Sequence, residues 1–348
     1  MKIVNLFKTI VEKTSAGEDT VLTTIISENG SSPRSAGAHM LVNSSGRVTG
    51  TIGGGTVEYA AINLSKKLLL TKQSCIKTYT LRPNGTEDLG MLCGGDIEVH
   101  FQFLNGGDKK VTDLFSMCIE RLETKDETLW FFIDINNNSG FNMAFYGPDC
   151  PLKGMEFDIS ALKTFLRSKP ALLKHETRVI YCEPVNFAGK VVIFGAGHIA
   201  QALQPLLNKT GFRCVIFDSR KEFLVPQLFP CAFSLTLGDY CSIAEKITIN
   251  ENDYIIVVTH AFDLAVLRQI INRPWAYLGL IGSMNKIIAV KKQLQSEGVP
   301  EETLNKMNAP IGLKIRSETS EEIAVSIAAE MILHRAKRRE SASLGVVL

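Results

Sequence analysis

Residues 191–200 read Val191-Val-Ile-Phe-Gly195-Ala-Gly197-His-Ile-Ala200, and they decide the fold of the second half of this chain. A short apolar run enters a G-x-G-x-x-A turn, a helix is predicted over 201–207, and a second apolar run over 212–217 ends at Asp218. Strand, glycine turn, helix, strand and terminal acid follow one another in this order in dinucleotide-type units. The order predicts a Rossmann-like doubly wound parallel sheet.

The remainder of the second half continues the alternation of strands and helices. Residues 254–258 and 277–281 are near-continuous apolar runs, which is typical of parallel strands that helices cover on both faces. A helix is predicted over 320–335. We therefore predict a Rossmann-like C-terminal domain over 188–340 and a flexible tail over 341–348.

The first half of the sequence predicts a different arrangement of helices and strands. The fold class is α/β, with an N-terminal mixed α/β domain over 1–105 and a middle α/β segment with a linker over 106–187. The predicted helices are 4–13, 56–70 and 111–122, and the predicted strands are 20–26, 38–42, 47–51, 76–81, 97–103 and 128–135.

Composition excludes several classes of function. The formal net charge is +2, from 38 basic and 36 acidic residues that are well mixed, which argues against nucleic-acid binding. No stretch approaches the roughly 18 uncharged apolar residues that a membrane span needs, and the N-terminus lacks a secretion signal pattern. No two of the eight cysteines are closer than ten residues, so C-x-x-C, zinc-ribbon and iron–sulfur spacings are absent. We predict a cytoplasmic protein with no membrane partner.

Candidate binding residues in the second half follow the predicted strands. Gly195 and Gly197 form a phosphate turn, because glycine admits a phosphate close to the backbone and a helix start offers unpaired N–H groups. The alternative is a tight turn with no ligand. Asp218 stands where such folds place the acid that binds a ribose 2′-hydroxyl. The alternative for Asp218 is an acid that caps a surface turn.

Two further strand ends carry polar residues. His260 follows the strand that ends at residue 258, and His198 stands at the first helix start. Gly282 and Ser283 form a third strand-to-helix turn, followed by Lys286, a combination that suits an anion. The alternative for each histidine is an exposed turn residue without a ligand.

Two loops of the first half are candidate sites. Gly53, Gly54 and Gly55 precede a helix, which suits either close backbone packing or an anion. Cys93 lies between glycines, with Gly94 after it, so its thiol is open and loop amides favour the thiolate. The alternative is a turn between strands with an incidental thiol.

Taken together, these motifs resemble the XdhC/CoxI family, the xanthine dehydrogenase accessory factors. The matching segments are Gly30-Ser-Ser-Pro-Arg34, Gly37-Ala-His-Met-Leu41, Gly50-Thr-Ile-Gly-Gly-Gly55 with Glu58, Gly90-Met-Leu-Cys-Gly-Gly95, Phe194-Gly-Ala-Gly-His198, Gly279-Leu-Ile-Gly-Ser283, Ala309-Pro-Ile-Gly-Leu313 and Thr319-Ser-Glu-Glu-Ile-Ala-Val-Ser-Ile327. Two positions depart from the family, because His39 and Met284 stand where relatives commonly carry basic residues.

The resemblance implies a role in maturation of the molybdenum cofactor, molybdopterin. Such proteins look like chaperones that hold the cofactor while its sulfido ligand is installed and then deliver it to a xanthine dehydrogenase-type apoenzyme. A cysteine desulfurase and that apoenzyme are the implied partners, and Cys93 is the residue expected near the metal. No catalytic residue is predicted.

One alternative function stays open at this point. An NAD(P)-dependent oxidoreductase would use the same glycine turn, with NAD(P) as the bound dinucleotide. The chain is too short, and its cysteines too scattered, for it to be the molybdenum hydroxylase itself. A homodimer is the expected assembly on general frequency alone.

Overall fold

The structure is a computed structural model that describes residues 2–81, 95–124, 128–136, 141–147, 149–158, 160–161, 166–167, 169–185 and 190–344. The chain divides into two compact units, Lys2–Phe187 and Ala188–Leu344, called here the N-terminal unit and the C-terminal unit. Each unit has its own sheets and core.

Among its described residues, the N-terminal unit contains two antiparallel sheets of five strands each. Their strand orders are β3-β2-β1-β5-β4 and β8-β7-β6-β10-β9. The helices are α1 (Lys2–Ser15), α2 (Gly55–Thr71) and α3 (Lys109–Thr124). The strands are β1 (Thr20–Asn29), β2 (His39–Asn43), β3 (Gly46–Gly50), β4 (Cys75–Thr80), β5 (Asp96–Leu104), β6 (Leu129–Asp134), β7 (Met143–Gly147), β8 (Cys150–Gly154), β9 (Ala171–His175) and β10 (Arg178–Val185).

An aromatic cluster joins the predicted first domain to the middle segment. Phe7 of α1 lies 5.0 Å from the ring of Phe115 of α3, measured between ring centroids. It also makes edge-to-face contacts with Phe131 of β6 and Phe145 of β7. Aromatic pairs of this kind add about 0.5–1.5 kcal/mol each beyond the area they bury. Residues before and after 105 therefore share one core.

The C-terminal unit is a doubly wound parallel sheet, as the sequence predicts. Its strand order is β13-β12-β11-β14-β15, and every neighbouring pair is parallel. The strands are β11 (Val191–Phe194), β12 (Cys214–Asp218), β13 (Ser234–Leu237), β14 (Tyr254–Val257) and β15 (Tyr277–Leu280). The helices are α4 (His198–Lys209), α5 (Asp263–Ile270), α6 (Met284–Ser296), α7 (Glu301–Asn305) and α8 (Ser320–Leu344).

The strand order reverses beside β11, because β12 follows it on one side and β14 on the other. Open parallel sheets bind ligands at the carboxyl edge where the order reverses. The helix α8 continues to Leu344, so residues 341–344 are helical where the sequence predicts the tail. Within the described part of the chain, the structure has no helix that is both long and apolar enough to span a membrane.

Candidate functional site

The glycine turn after β11 lies at the point where the strand order reverses. Gly195 has φ +110°, and a Cβ at this position would stand 2.8 Å from the carbonyl oxygen of Val258. Its N–H donates to the Phe217 carbonyl at 2.9 Å. Positive φ and close backbone approach both require glycine here. Gly195 thus brings the ends of β11, β12 and β14 together.

Gly197 has neither of these structural reasons to be glycine. Its φ is −75°, and no described atom lies within 4 Å of the position that a Cβ would occupy. It precedes α4, and no described group accepts a hydrogen bond from the amides of Gly197, His198 or Ile199. An unfilled helix start beside an open glycine is the geometry that binds a phosphate.

Asp218 is buried and fully engaged by the protein. One carboxylate oxygen accepts from the Ala196 amide at 2.8 Å and from Nη2 of Arg220 at 2.9 Å. The other accepts from the backbone amide and Nε of Arg220, both at 2.9 Å. Burial raises the pKa of Asp218, but these hydrogen bonds outweigh burial, and the pKa lies below its ordinary value of 3.8. The carboxylate is therefore charged and holds the glycine turn against Arg220.

A second polar group connects the turns after β14 and β15. The buried Asp263 accepts from the hydroxyl of Thr259 at 2.5 Å and forms an ion pair with Lys286. The Ser283 hydroxyl caps α6 by accepting from the Lys286 amide at 3.4 Å. A Cβ on Gly282 would stand 2.9 Å from Cδ of Lys286. Because Asp263 neutralises Lys286, this turn offers an anion less positive charge than its sequence suggests.

The two predicted histidines lie at different places in the C-terminal unit, and both are exposed. His260 follows β14 at the carboxyl edge of the sheet. His198 begins α4 and lines an open groove of about 430 Å³ with Gln201, Leu206 and Val325. This groove runs along the outer surfaces of α4 and α8, so His198 can contact either a ligand in the turn or a ligand in the groove.

In the N-terminal unit the glycine turn before α2 is closed by the protein's own Glu58. Oε2 of Glu58 accepts from the hydroxyl of Thr51 and from the amides of Ile52 and Gly54. Oε1 pairs with Arg47 at 2.8 Å. The φ angles of Gly53, Gly54 and Gly55 are +133°, +77° and +61°, so the backbone itself explains all three glycines. An internal carboxylate already occupies the place of a bound anion.

Burial raises the pKa of Glu58, and four donors oppose burial. Hydrogen bonds from Thr51, Gly54 and Ile52, with the charge of Arg47, outweigh burial and bring the pKa below its ordinary value of 4.5. Glu58 is therefore ionised at neutral pH. The motif glutamate acts as a structural cap for this turn.

Three of the motif segments meet in the N-terminal unit around residues 31–34, an assembly called here the N-terminal loop cluster. A Cβ on Gly53 would stand 3.0 Å from Cβ of Pro33. A Cβ on Gly95 would stand 2.5 Å from the Ser31 carbonyl oxygen, and the Gly95 carbonyl accepts from the Leu81 amide at 2.9 Å. Arg34 in this cluster is exposed. The predicted residues Cys93 and Gly94 lie outside the described residues.

The side chain of His39 is nearly inaccessible to solvent, and it joins the two sheets of the N-terminal unit. Its Nε2 lies 2.7 Å from Glu183 of β10, its Nδ1 lies 2.9 Å from the hydroxyl of Thr24, and Tyr181 donates to Glu183 at 3.0 Å. The side chains of His39 and Glu183 are only 6% and 4% exposed. The departure at residue 39 therefore lies inside the fold rather than on a ligand surface.

Sequence reasoning missed Arg220, Tyr240 and Glu183 as members of these networks. Burial raises the pKa of Tyr240 above its usual range, and the neighbouring Asp218 adds to this shift. The signal for Arg220 was present in the sequence, because an arginine near the terminal acid of a Rossmann strand can contact a phosphate. No sequence signal identifies Glu183, since its partner is 144 residues away.

Comparison with known proteins agrees with the architecture. The chain is 26% identical over 309 residues to YqeB of Escherichia coli K12, an uncharacterised protein, and it spans 42% of that protein's length. It is 27% identical over 330 residues to a probable xanthine dehydrogenase subunit from Bacillus subtilis 168, covering 91% of this chain and 94% of the relative. It is 23% identical over 341 residues to PaoD of Escherichia coli K12, a molybdenum cofactor insertion chaperone, covering 96% and 89%.

A crystal structure described as a xanthine dehydrogenase from Bacillus halodurans superposes with a TM-score of 0.79 at 22% identity. The match covers 99% of this chain and 98% of that one, and it supports the fold. The XdhC Rossmann domain model matches residues 191–331, and the XdhC and CoxI family model matches residues 14–80. These two models together match more than half of the sequence, and the chain belongs to the XdhC/CoxI family.

Proposed function

We propose that this protein is a maturation factor that binds the molybdenum cofactor, supports installation of its sulfido ligand and delivers it to a xanthine dehydrogenase-type apoenzyme. The observation that carries the proposal is the match to the insertion chaperone PaoD over nearly the whole of both chains. The relative named for xanthine dehydrogenase supports the class of target enzyme. In this role the protein binds and protects, and a cysteine desulfurase supplies the sulfur.

The start of α4 is the proposed contact for the phosphate of the cofactor. The amides of Gly197, His198 and Ile199 donate to no described group, and the space over Gly197 is open. A phosphate at a helix start is stabilised by about 0.3–1 kcal/mol, and up to roughly 2 kcal/mol where partly buried. Micromolar affinity requires about 8 kcal/mol, so the ring system of the cofactor must supply most of the binding energy.

The N-terminal unit has its own candidate contact for the cofactor, the N-terminal loop cluster. Three motif segments gather there within this unit, and Arg34 adds an exposed cation. Cys93 is proposed as the thiolate that contacts the metal or the transferred sulfur, because cysteine thiolate is a soft ligand. Gly94, which follows it in the sequence, is proposed as part of the same contact, and the Gly53–Gly55 turn approaches the cluster at Pro33.

The test is anaerobic purification of the full chain from cells that make the cofactor. Bound pterin is released, oxidised to its fluorescent form and counted per chain. We expect wild-type protein to retain pterin and to raise the activity of a purified xanthine dehydrogenase-type apoenzyme. Gly197→Val should lower retention about tenfold, because the added methyl groups occupy the space above the helix amides.

The thiol is tested by Cys93→Ala against Cys241→Ala, a matched exposed cysteine of the C-terminal unit. Cys93→Ala should reduce pterin retention and apoenzyme activation, while Cys241→Ala should leave both unchanged. Circular dichroism and thermal unfolding must match wild type for both variants. Wild-type retention in Cys93→Ala would remove this thiol from the mechanism, and an absence of pterin in the wild-type chain would refute the proposal as a whole.

A further inference from the structure

The residues that follow β12 form a polar group that the proposed cofactor role does not use. Ser219, Arg220 and Lys221 are all exposed and stand directly after the terminal acid Asp218. In parallel sheets of this order, the segment at the end of the second strand lies beside the adenosine ribose of a dinucleotide. These three residues therefore occupy the position that discriminates between forms of the ribose.

Asp218 does not offer the acceptor that a free ribose needs. Its side chain is 0% exposed, and each of its two oxygens already accepts two hydrogen bonds within the C-terminal unit. A carboxylate offers about four acceptor positions. A 2′-hydroxyl would have to displace Arg220 or the Ala196 amide in order to bind there.

Arg220 is held in place with part of its guanidinium facing outward. Nε and Nη2 donate bidentate hydrogen bonds to the two carboxylate oxygens of Asp218, both at 2.9 Å. The guanidinium carbon lies 4.1 Å from the ring centroid of Phe223. The side chain is 46% exposed. Two of its five N–H donors are used, and the other three have no acceptor among the described residues. A fixed, outward guanidinium edge suits the oxygens of a phosphate monoester.

Two neighbours of Arg220 would favour binding of a phosphate, and a third neighbour would oppose it. Lys221 brings a second cation and Ser219 a hydroxyl donor, and neither has a described partner. Glu222 is an exposed acid on the next position, and it would repel an anion. The Ala196 amide is joined to Arg220 through the Asp218 carboxylate, so the phosphate turn and the arginine are one connected assembly.

We propose that the C-terminal unit binds a dinucleotide whose adenosine ribose carries a 2′-phosphate, an NADP-type ligand. Ser219, Arg220 and Lys221 contact the 2′-phosphate, and the open amides at the start of α4 contact the pyrophosphate. Asp218 acts as the positioning residue for Arg220. The dinucleotide shares the amides at the start of α4 with the proposed cofactor contact, so the two ligands would compete for that turn, whereas the groups after β12 belong to the dinucleotide alone.

The test is calorimetric titration of the full chain at low ionic strength, with NADP⁺, NAD⁺, adenosine 2′,5′-bisphosphate and adenosine 5′-monophosphate as separate probes. No molybdenum cofactor is present, so the result does not depend on the cofactor proposal. We expect NADP⁺ to bind at least about tenfold more tightly than NAD⁺, and the bisphosphate more tightly than the monophosphate. This preference should shrink with added salt.

Variants test whether the residues after β12 cause the preference for NADP⁺ over NAD⁺. Arg220→Ala should remove the difference between the two dinucleotides, and Lys221→Ala should reduce the difference severalfold without touching Asp218. Glu222→Gln should increase it. Arg268→Ala is the matched control and should leave the difference unchanged. Arg268 is 50% exposed, and it also donates bidentate hydrogen bonds to a carboxylate, in this case Glu297.

Equal affinity for the two dinucleotides, tighter binding of NAD⁺, or failure of the wild-type chain to bind any of the four probes would overturn the proposal. The same holds if Lys221→Ala and Arg220→Ala both keep the full preference for the 2′-phosphate while their unfolding curves match wild type.

Discussion

The two glycine turns of this chain have similar sequences, but they differ in how many of their backbone amides already have an acceptor within the protein. Gly53 and Gly54 precede α2, which begins at Gly55, and the internal carboxylate of Glu58 accepts from the amides of Ile52 and Gly54. Gly195–Gly197 precedes α4, where the Ala196 amide is taken by Asp218 and the next three amides have no described acceptor. A glycine-rich helix start therefore indicates a ligand only when the protein has not already supplied the anion.

The backbone angles separate the two turns in the same way. All three N-terminal glycines have positive φ, so their conformation alone demands glycine. Gly197 has negative φ and open space around it, so neither the backbone conformation nor crowding requires glycine there. Each unit also holds one tryptophan, Trp130 and Trp275, so single-tryptophan variants can follow the unfolding of one unit at a time.

The largest effect should come from Gly195→Val. A side chain here forces a positive φ on a β-branched residue and meets the Val258 carbonyl at 2.8 Å. The C-terminal unit should lose about 3 kcal/mol or more of its free energy of unfolding, measured by denaturant unfolding with Trp275 as the probe. Gly197→Val is the control and should change stability by less than about 1 kcal/mol. Similar losses in both variants would contradict the distinction between the two glycines.

Glu58→Ala should destabilise the N-terminal unit by about 2–3 kcal/mol, because the amides of Ile52 and Gly54 lose their acceptor. The measurement is unfolding followed through Trp130. Arg47→Ala should cost less than about 1 kcal/mol, since that arginine is 50% exposed and its ion pair is partly solvated. If Glu58→Ala unfolds like wild type, the turn does not depend on an internal anion.

The stability of the N-terminal unit at low pH should also depend on the carboxylate of Glu58. The pKa of Glu58 is lower in the folded protein than its ordinary value of 4.5. A lowered pKa means that the ionised group stabilises the fold above the unfolded pKa, and that this stability is lost as pH falls through the folded pKa. Between pH 7 and pH 3, Glu58→Gln should therefore lose less stability in the N-terminal unit than wild type. Parallel losses would show that Glu58 has no role in acid sensitivity.

The smallest effect should be the response to inorganic phosphate. Phosphate should stabilise the C-terminal unit by a few tenths of a kcal/mol, because it binds weakly at the open start of α4. The N-terminal unit should not respond, since Glu58 fills its turn. Thermal unfolding with each tryptophan probe measures both, and sodium chloride at equal ionic strength is the control. Stabilisation of the N-terminal unit alone would reverse the comparison.

The sequence predicted the Rossmann-like sheet because its strands are continuous apolar runs separated by glycine turns. It did not predict β7 to β10, which are short strands that carry Pro151, Gly154 and Pro184 and lack a clear alternation. These strands form because they pack against α1 and α3, which is a long-range effect that local patterns do not carry. Prediction of the parallel sheet therefore rested on the apolar runs of β11, β12, β14 and β15, which are buried along their whole length.

The candidate site was predictable in part for the same reason. The positions of the glycines, Asp218 and the strand-end polar residues follow from the chain order, and the structure places them at the turns expected. What the sequence could not show is which groups are already satisfied. Ala196 reaches Asp218, and Lys286 reaches Asp263, only because the completed sheet brings their turns together.

The aromatic cluster of Phe7, Phe115, Phe131 and Phe145 has a consequence for how this region can be inherited. The family model ends at residue 80, but the interior that buries Phe7 is completed only by β6 and β7. A gene fusion that transferred residues 1–105 alone would expose Phe7 to water, because Phe115, Phe131 and Phe145 all lie beyond residue 105. Recombination between relatives should therefore keep the whole N-terminal unit, up to the end of β10, together.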